Sequence, residues 1–270
     1  MKLFGCLALL LWMAAAPAAR AGDEHDEYNS YKIRFEGFWF YSKPTGHFSS
    51  QGNTGLLDLS RDIGFRSYSS GIGKLDWKFT HKNHFYFAYT NFTQSKDVVL
   101  NRTITFQGQT YNVGATATGS LDSRVYIPGY QYDIIRRKSL TIGLQVQLNI
   151  TDIAGKLFAA AQVNNGVPQA TEFASARVKV PLPVAGPTIR WYLIPNSGRL
   201  FLDANVLGMY FFGYGNYVSS IGTMGFSLGK HMAIRGGYSL GSRYEIKTKT
   251  DRIGMTLSQH GAVAGLEFSF

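Results

Sequence analysis

Histidine is the side chain whose proton moves most readily near neutral pH, so the six histidines of this 270-residue chain are the first places to look for chemistry. His81 and His84 have a spacing that suits a metal, but they flank Lys82 and Asn83 with neither a cysteine nor a carboxylate near them in sequence. They read as parts of a solvated turn. His231 lies in a second turn, Gly229-Lys230-His231, and His260 falls on the outward face of an alternating strand. His47 is left as the one histidine in a long polar connection, with Asp58, Asp62, Asp97, Asp122, Asp152 and Asp251 in or beside similar stretches. A general base must be within hydrogen-bond reach of its partner, and spacing along the chain does not establish that. Gly71-Ile72-Gly73 and Gly236-Gly237-Tyr238 are not phosphate loops, because no strand-to-helix transition follows them. The sequence therefore assigns no catalytic residue, metal ligand or cofactor.

The elements that would position such groups are strands with a period of two. Residues 140 to 151 are the plainest case. Leu140, Ile142, Leu144, Val146, Leu148 and Ile150 share one face, and Thr141, Gly143, Gln145, Gln147, Asn149 and Thr151 share the other. Six large aliphatics on one face fit a tilted membrane crossing of ~9–11 residues. No apolar run in the chain after residue 21 approaches the ~18 residues a membrane helix needs. The chain carries 19 Phe, 16 Tyr and 30 Gly, with aromatics at 14%, a composition suited to interfacial girdles around a barrel.

Residues 1 to 21 read as a secretory signal peptide: Lys2, an apolar run from Leu3 to Pro17, and the small-x-small site Ala19-Arg20-Ala21. Residues 22 to 30 form a polar leader, and residues 31 to 270 a single domain. Cys6 is the only cysteine and lies within the signal, so the exported chain has no disulfides. Removal of the signal leaves 25 basic against 17 acidic residues. The basic residues form no stripe with stacking aromatics, which argues against nucleic acid. Anionic lipopolysaccharide and phosphate headgroups are the simpler partners for them.

The chain ends on the strand Gly261 to Phe270, with Ala262, Ala264, Leu266, Phe268 and Phe270 on one face and Val263, Gly265, Glu267 and Ser269 on the other. A strand ending on an exposed ring suits only a paired edge with lipid outside. This pattern resembles the closing strand of bacterial outer-membrane β-barrel proteins. The resemblance implies that Leu266, Phe268 and Phe270 form the signal read by the barrel assembly machinery.

Ten strands are expected, near residues 31–42, 69–80, 84–93, 121–135, 140–151, 185–194, 200–212, 218–228, 232–247 and 252–270. The fold class is thus an all-β, antiparallel up-and-down transmembrane barrel; eight or twelve strands remain as alternatives. Connections after the even strands are short, while 43–68, 94–121 and 154–183 are long, which puts the long ones outside the cell as possible sites for a ligand or protein. Apolar alternation around Ile104, Phe106, Tyr111 and Val113 suggests a hairpin standing above the membrane, and Pro181, Pro183 and Pro187 mark a strand edge or beginning.

Inward parity collects charges of both signs: Arg34, Glu36, Lys74, Asp76, Asp133, Arg190, Asp203, Arg235 and Glu267, with Lys32, Lys78, Arg243 and Glu245 alongside. Facing one another across a narrow lumen, they should pair. The expected function is a non-enzymatic outer-membrane barrel, either a narrow porin-like channel or a structural or surface-binding barrel. The alternative class is an outer-membrane hydrolase. Omptin proteases are also ten-stranded and use a histidine with carboxylates at the outer rim, and lipid A deacylases pair a His with a Ser on the lipid-facing wall. Neither motif matches residue by residue here.

Overall fold

The computed structural model describes residues 29–49, 57–106, 109–159, 163–164, 167–168, 172–194, 197–211, 215–247 and 254–270. The expected signal peptide and most of the expected leader fall outside them. Ten long strands make the wall: β1 (Ile33–Ser49), β2 (Tyr68–Lys78), β3 (Asn83–Val99), β4 (Thr116–Arg137), β5 (Leu140–Ala159), β6 (Glu172–Tyr192), β7 (Leu200–Phe211), β8 (Gly215–Ser227), β9 (Met232–Lys247) and β10 (Gly254–Ser269). Each pairs antiparallel with its sequence neighbours, and β10 closes on β1 from Arg34↔Ser269 to Ser49↔Gly254. A closed antiparallel barrel is one of the two ways to satisfy every backbone group in hydrocarbon. At the seam the Phe270 N–H donates to the Ile33 carbonyl at 2.8 Å and the Phe270 carbonyl accepts from Ile33 at 3.0 Å, so the terminal residue is itself part of the closure.

The outer face carries the apolar parity. Ile33, Phe35, Trp39, Leu75, Trp77, Phe85, Phe87, Leu266 and Phe268 are all exposed there, a belt that only lipid can cover. Its rings are braced against one another, with Phe79 and Phe85 stacked at 5.0 Å and Trp39 and Tyr41 at 6.1 Å.

The long connections are shorter than the sequence suggests. Most of 94–121 and 154–183 is wall: β3 and β4 pair out to Val99↔Thr116, and β5 and β6 out to Ala159↔Glu172. Polar residues on both faces hide a strand once it rises out of lipid, because alternation needs one apolar side to be visible. β4, at 22 residues, is about twice the ~9–11 needed to cross a bilayer. A hairpin does form, Ile104–Phe106 with Gln109–Tyr111, but it folds inward, with Ile104 and Tyr111 buried.

The three prolines lie inside β6 and not at its start. Their placement follows from parity. Tyr192 donates its N–H to Ser139 on the β5 side at 2.8 Å, so even residues of β6 bond toward β5 and odd ones toward β7. Pro181, Pro183 and Pro187 are all odd, and β7 pairs with β6 only from Ala185 to Tyr192. Pro181 and Pro183 therefore lack their N–H on a side where no described strand needs it.

A bulge interrupts β9. The register steps from Ser239↔Gly261 to Ser242↔Gln259, which pairs Arg243 with Ser258 and Glu245 with Thr256. Leu240, within this bulge, is the most exposed of the large apolar residues described, at 76%.

Candidate functional site: the charged lumen

At the inner end, the ladder itself brings the charged residues together. Arg190 faces Asp203 across β6 and β7, Glu36 faces Lys74 across β1 and β2 and Glu267 across β1 and β10, and Arg34 faces Asp76. Arg190 donates to Asp203 Oδ2 at 2.5 Å and reaches Glu267 with both terminal nitrogens, at 3.1 and 2.8 Å. Arg235 Nη1 donates to Glu36 Oε2 at 2.7 Å and to Glu267 Oε2 at 3.2 Å, while Arg34 Nε lies 3.2 Å from Glu267 Oε1. Glu267 thus serves three arginines. Lys74 bonds Glu36 at 2.9 Å and lies 3.9 Å from Asp76. Nine of the thirteen charges expected to face inward lie in the lumen and belong to one connected network, whereas Lys32 is exposed.

The network is joined by a residue that spacing did not find. His84 is not in a solvated turn but buried: Nδ1 is 3.2 Å from Asp76 Oδ1 and Nε2 is 2.9 Å from Asp133 Oδ2. Tyr31 adds its hydroxyl, 3.0 Å from Nδ1 and donating to Asp76 Oδ2 at 3.2 Å. Each ring nitrogen faces a carboxylate, so His84 bridges Asp76 and Asp133. The signal for His84 in the sequence was its even position on β3, the same inward parity as Tyr86 and Ala88. His81 is exposed in the turn, and the described residues hold no group of three or more metal-ligating side chains.

Three of the cations also rest on rings: Arg235 on Phe38 (4.8 Å), Lys74 on Tyr86 (5.1 Å) and Arg190 on Phe201 (4.6 Å). Each ring lies against a directly cross-strand glycine, Gly265, Gly129 and Gly225 respectively. A Cβ at those glycines would come within 2.4, 2.2 and 2.1 Å of the ring. Absence of a side chain is what lets the ring lie flat and turn its other face to the cation. The segment before β1 completes this floor. The Tyr31 ring sits 3.7 Å from the Arg34 guanidinium, Arg34 bonds the Asn29 side chain, and Lys78 donates to the Asn29 carbonyl at 3.0 Å.

The outer end is packed by different means. Residues 59–65 and the hairpin segment 100–115 turn into the mouth, where Leu59, Ile63, Phe65, Leu100, Ile104 and Tyr111 pack on wall residues that include Phe92, Leu157, Leu207, Tyr217 and Leu257. Ile63 docks on Gly119, whose Cβ would meet it at 2.3 Å. Asp62 locks the two segments together, accepting from Arg102 Nε at 3.0 Å, from Arg102 Nη2 at 2.5 Å and from the Asp58 N–H at 2.8 Å. Burial of the Asp62 carboxyl would raise its pKa, but hydrogen bonds from Arg102, the Asp58 backbone and Arg61 outweigh this and hold it below the usual carboxylate range. His47, the histidine expected in an outer connection, lies 3.4 Å from Asp58 on the outward parity of β1.

Between floor and cap lies a cavity of about 250 Å³. A closed ten-strand antiparallel wall, a lipid-facing belt and a polar interior define an integral membrane β-barrel. No protein-family model matches the chain, and no curated protein is similar to it in sequence. Its fold is similar to that of the outer-membrane protease OmpT of Escherichia coli, with a TM-score of 0.58 at 10% identity over 89% of this chain and 98% of that one. Lower structural similarity, a TM-score of 0.37 in both cases, links it to Ail of Yersinia pestis (9% identity over 88% of this chain and 99% of that one) and to the toluene transporter TodX of Pseudomonas putida (9% identity over 92% and 93%). The chain thus has the fold of the bacterial outer-membrane β-barrels, with ten strands in its wall.

Proposed function

We propose that this protein is a non-enzymatic passage for small solutes, held in an occluded state. The observation that carries the reading is the order of layers along the barrel axis: an ion-paired floor, a central cavity and an apolar cap. A purely structural barrel has no need of a cavity flanked by two separate closures, and an open porin would have neither. The hydrolase alternative finds no comparable support. One histidine–carboxylate group is buried inside the ion network, and the other, His47 with Asp58, sits on the outward side of the rim. Lipopolysaccharide and phosphate headgroups are the proposed partners of the basic surface above the lipid belt, where Arg124 and Arg177 are exposed. Leu266, Phe268 and Phe270 are the proposed contact with the assembly machinery, and the segments joining the tall strands are the candidate site for an outer ligand or protein.

Planar-bilayer recording of the refolded protein tests this reading. The wild type is expected to be closed for most of the record, with Glu267→Ala and Arg34→Ala giving longer openings and altered ion selectivity. A large, steady wild-type conductance would replace occlusion by an open pore. Silence from both floor variants and from a deletion of residues 59–65, in protein that still shows heat-modifiable migration, would make the barrel a static binding protein.

A further inference from the structure

The lining of the central cavity is mixed. Phe38, Phe40, Ile72 and Ile127 on β1 to β4 with Ile153 and Leu207 on β5 and β7 give it an apolar wall, while Gln145, Gln147 and Asn149 on β5 with Asn205 on β7 give it a row of amides, beside Ser70, Thr90 and Gln131 on the β1 to β4 side. The first can hold an apolar face by contact, and the second offers neutral hydrogen-bonding groups.

The amides are not free to turn. Asp133 Oδ1 accepts from Gln131 Nε2 at 2.8 Å, and Gln131 Oε1 accepts from Gln145 Nε2 at the same distance. This chain starts at a carboxylate, which can only accept, so its direction is fixed and the Gln145 carbonyl oxygen is left at its upper end. A second chain runs from the Tyr86 hydroxyl to Gln147 Oε1 at 2.8 Å, and from Gln147 Nε2 to Asn149 Oδ1 at 2.6 Å, which leaves the Asn149 amide N–H groups as donors. The charges just below are already spent on one another. Glu36, Asp203 and Glu267 each hold an arginine or lysine nitrogen within 3.2 Å, and Asp76 and Asp133 are each bonded to His84, so these five carboxylates already have partners. A volume of about 250 Å³ lies below the ~300–1,000 Å³ of pockets for drug-sized ligands.

We propose that this cavity binds a neutral polyol the size of one sugar ring, with its C–H face against Phe38 and Phe40 and its hydroxyls on the Gln145, Asn149 and Asn205 side. A phenol would also suit the apolar wall, but its single hydroxyl would leave most of the amide row without partners, and a site built to hydrogen-bond discriminates against ligands that lack the groups. The inference rests on the occluded-passage reading for the route of entry, past the cap. Binding is measured separately from flux, so the two can fail independently.

The experiment is saturation-transfer NMR on the refolded barrel in detergent micelles, with glucose, galactose and myo-inositol as probes and phenol and gluconate as counter-probes. At least one neutral polyol is expected to receive saturation through its ring C–H protons, more strongly than either counter-probe. Gln145→Leu and Asn149→Leu are expected to weaken that binding about tenfold each, the loss of one hydrogen bond to the ligand. Heat-modifiable migration of each variant shows that it has folded. No transfer to any polyol from folded wild-type protein, leaving water as the sole occupant, would overturn the proposal, as would preference for phenol or gluconate. Polyol binding without uptake in a liposome-swelling assay would leave the site standing and remove the passage. Swelling with polyols in the absence of binding would do the reverse.

Discussion

The floor and the cap close the same lumen by opposite physics. The floor is built from charges that are costly to bury and are tolerated because they lie close to charges of opposite sign; Glu267 alone answers to Arg34, Arg190 and Arg235. The cap is built from aliphatic and aromatic contact, which has no direction and scales with area. A closure of the first kind is brittle, since removal of one member leaves buried charge behind. A closure of the second kind is graded, giving way roughly in proportion to the atoms removed. The floor also draws its members from eight of the ten strands, β1 to β4, β6, β7, β9 and β10, so it ties the wall together. The cap joins two connecting segments to that wall and can loosen without opening the barrel.

Removing Glu267 should separate the two most strongly. Glu267→Ala is expected to cost about 3–5 kcal/mol, the scale of breaking a buried ion pair, measured by urea unfolding in lipid vesicles. A loss under about 1 kcal/mol would mean that water enters the floor and screens it. On the wall beneath the cap, Leu157→Ala should cost about 3 kcal/mol for a fully buried leucine, and by loosening the seat of the cap should lengthen channel openings without changing ion selectivity. A selectivity change would place Leu157 in the conducting path and blur the division. Filling the space behind one floor ring is milder. Gly129→Ala, where a Cβ would meet the Tyr86 ring at 2.2 Å, should cost about 1–2 kcal/mol, whereas Gly37→Ala, with nothing within 4 Å, should cost far less. Equal effects of the two would show that the ring simply swings aside.

The smallest effect expected is on pH. Asp62 has a folded-state pKa below its unfolded one, so its contribution to the cap is complete above the unfolded value of about 4 and is lost as pH falls through the lower, folded value. Amide exchange in residues 59–65 should therefore quicken below pH ~4, and Asp62→Asn should show the faster exchange already at neutral pH. Acid-independent exchange in the wild type would shift the lock from Asp62 to apolar packing alone.

Much of the architecture is written locally. The alternation in 140–151 and 261–270 fixes the lipid face, because a strand between water and hydrocarbon must sort its residues by parity. The same parity places all nine lumen charges, since a side chain two residues along has no other side to go to. The sequence also marks the odd-numbered prolines of β6 as residues unable to serve a ladder. Other features depend on neighbours that no local pattern contains. The upper reaches of β3 to β6 were invisible because above the lipid neither face is obliged to be apolar. The register of β9 steps at Leu240 because of a bulge that pairing with β8 and β10 decides. His84 became the link of the floor only when Asp76, Asp133 and Tyr31 converged on it from three other segments. The cap turned inward because apolar residues of two separate connections find their burial in the mouth. Parity is a property of one strand and can be read from it, whereas register, convergence and closure depend on which strands meet, and only the folded barrel decides that.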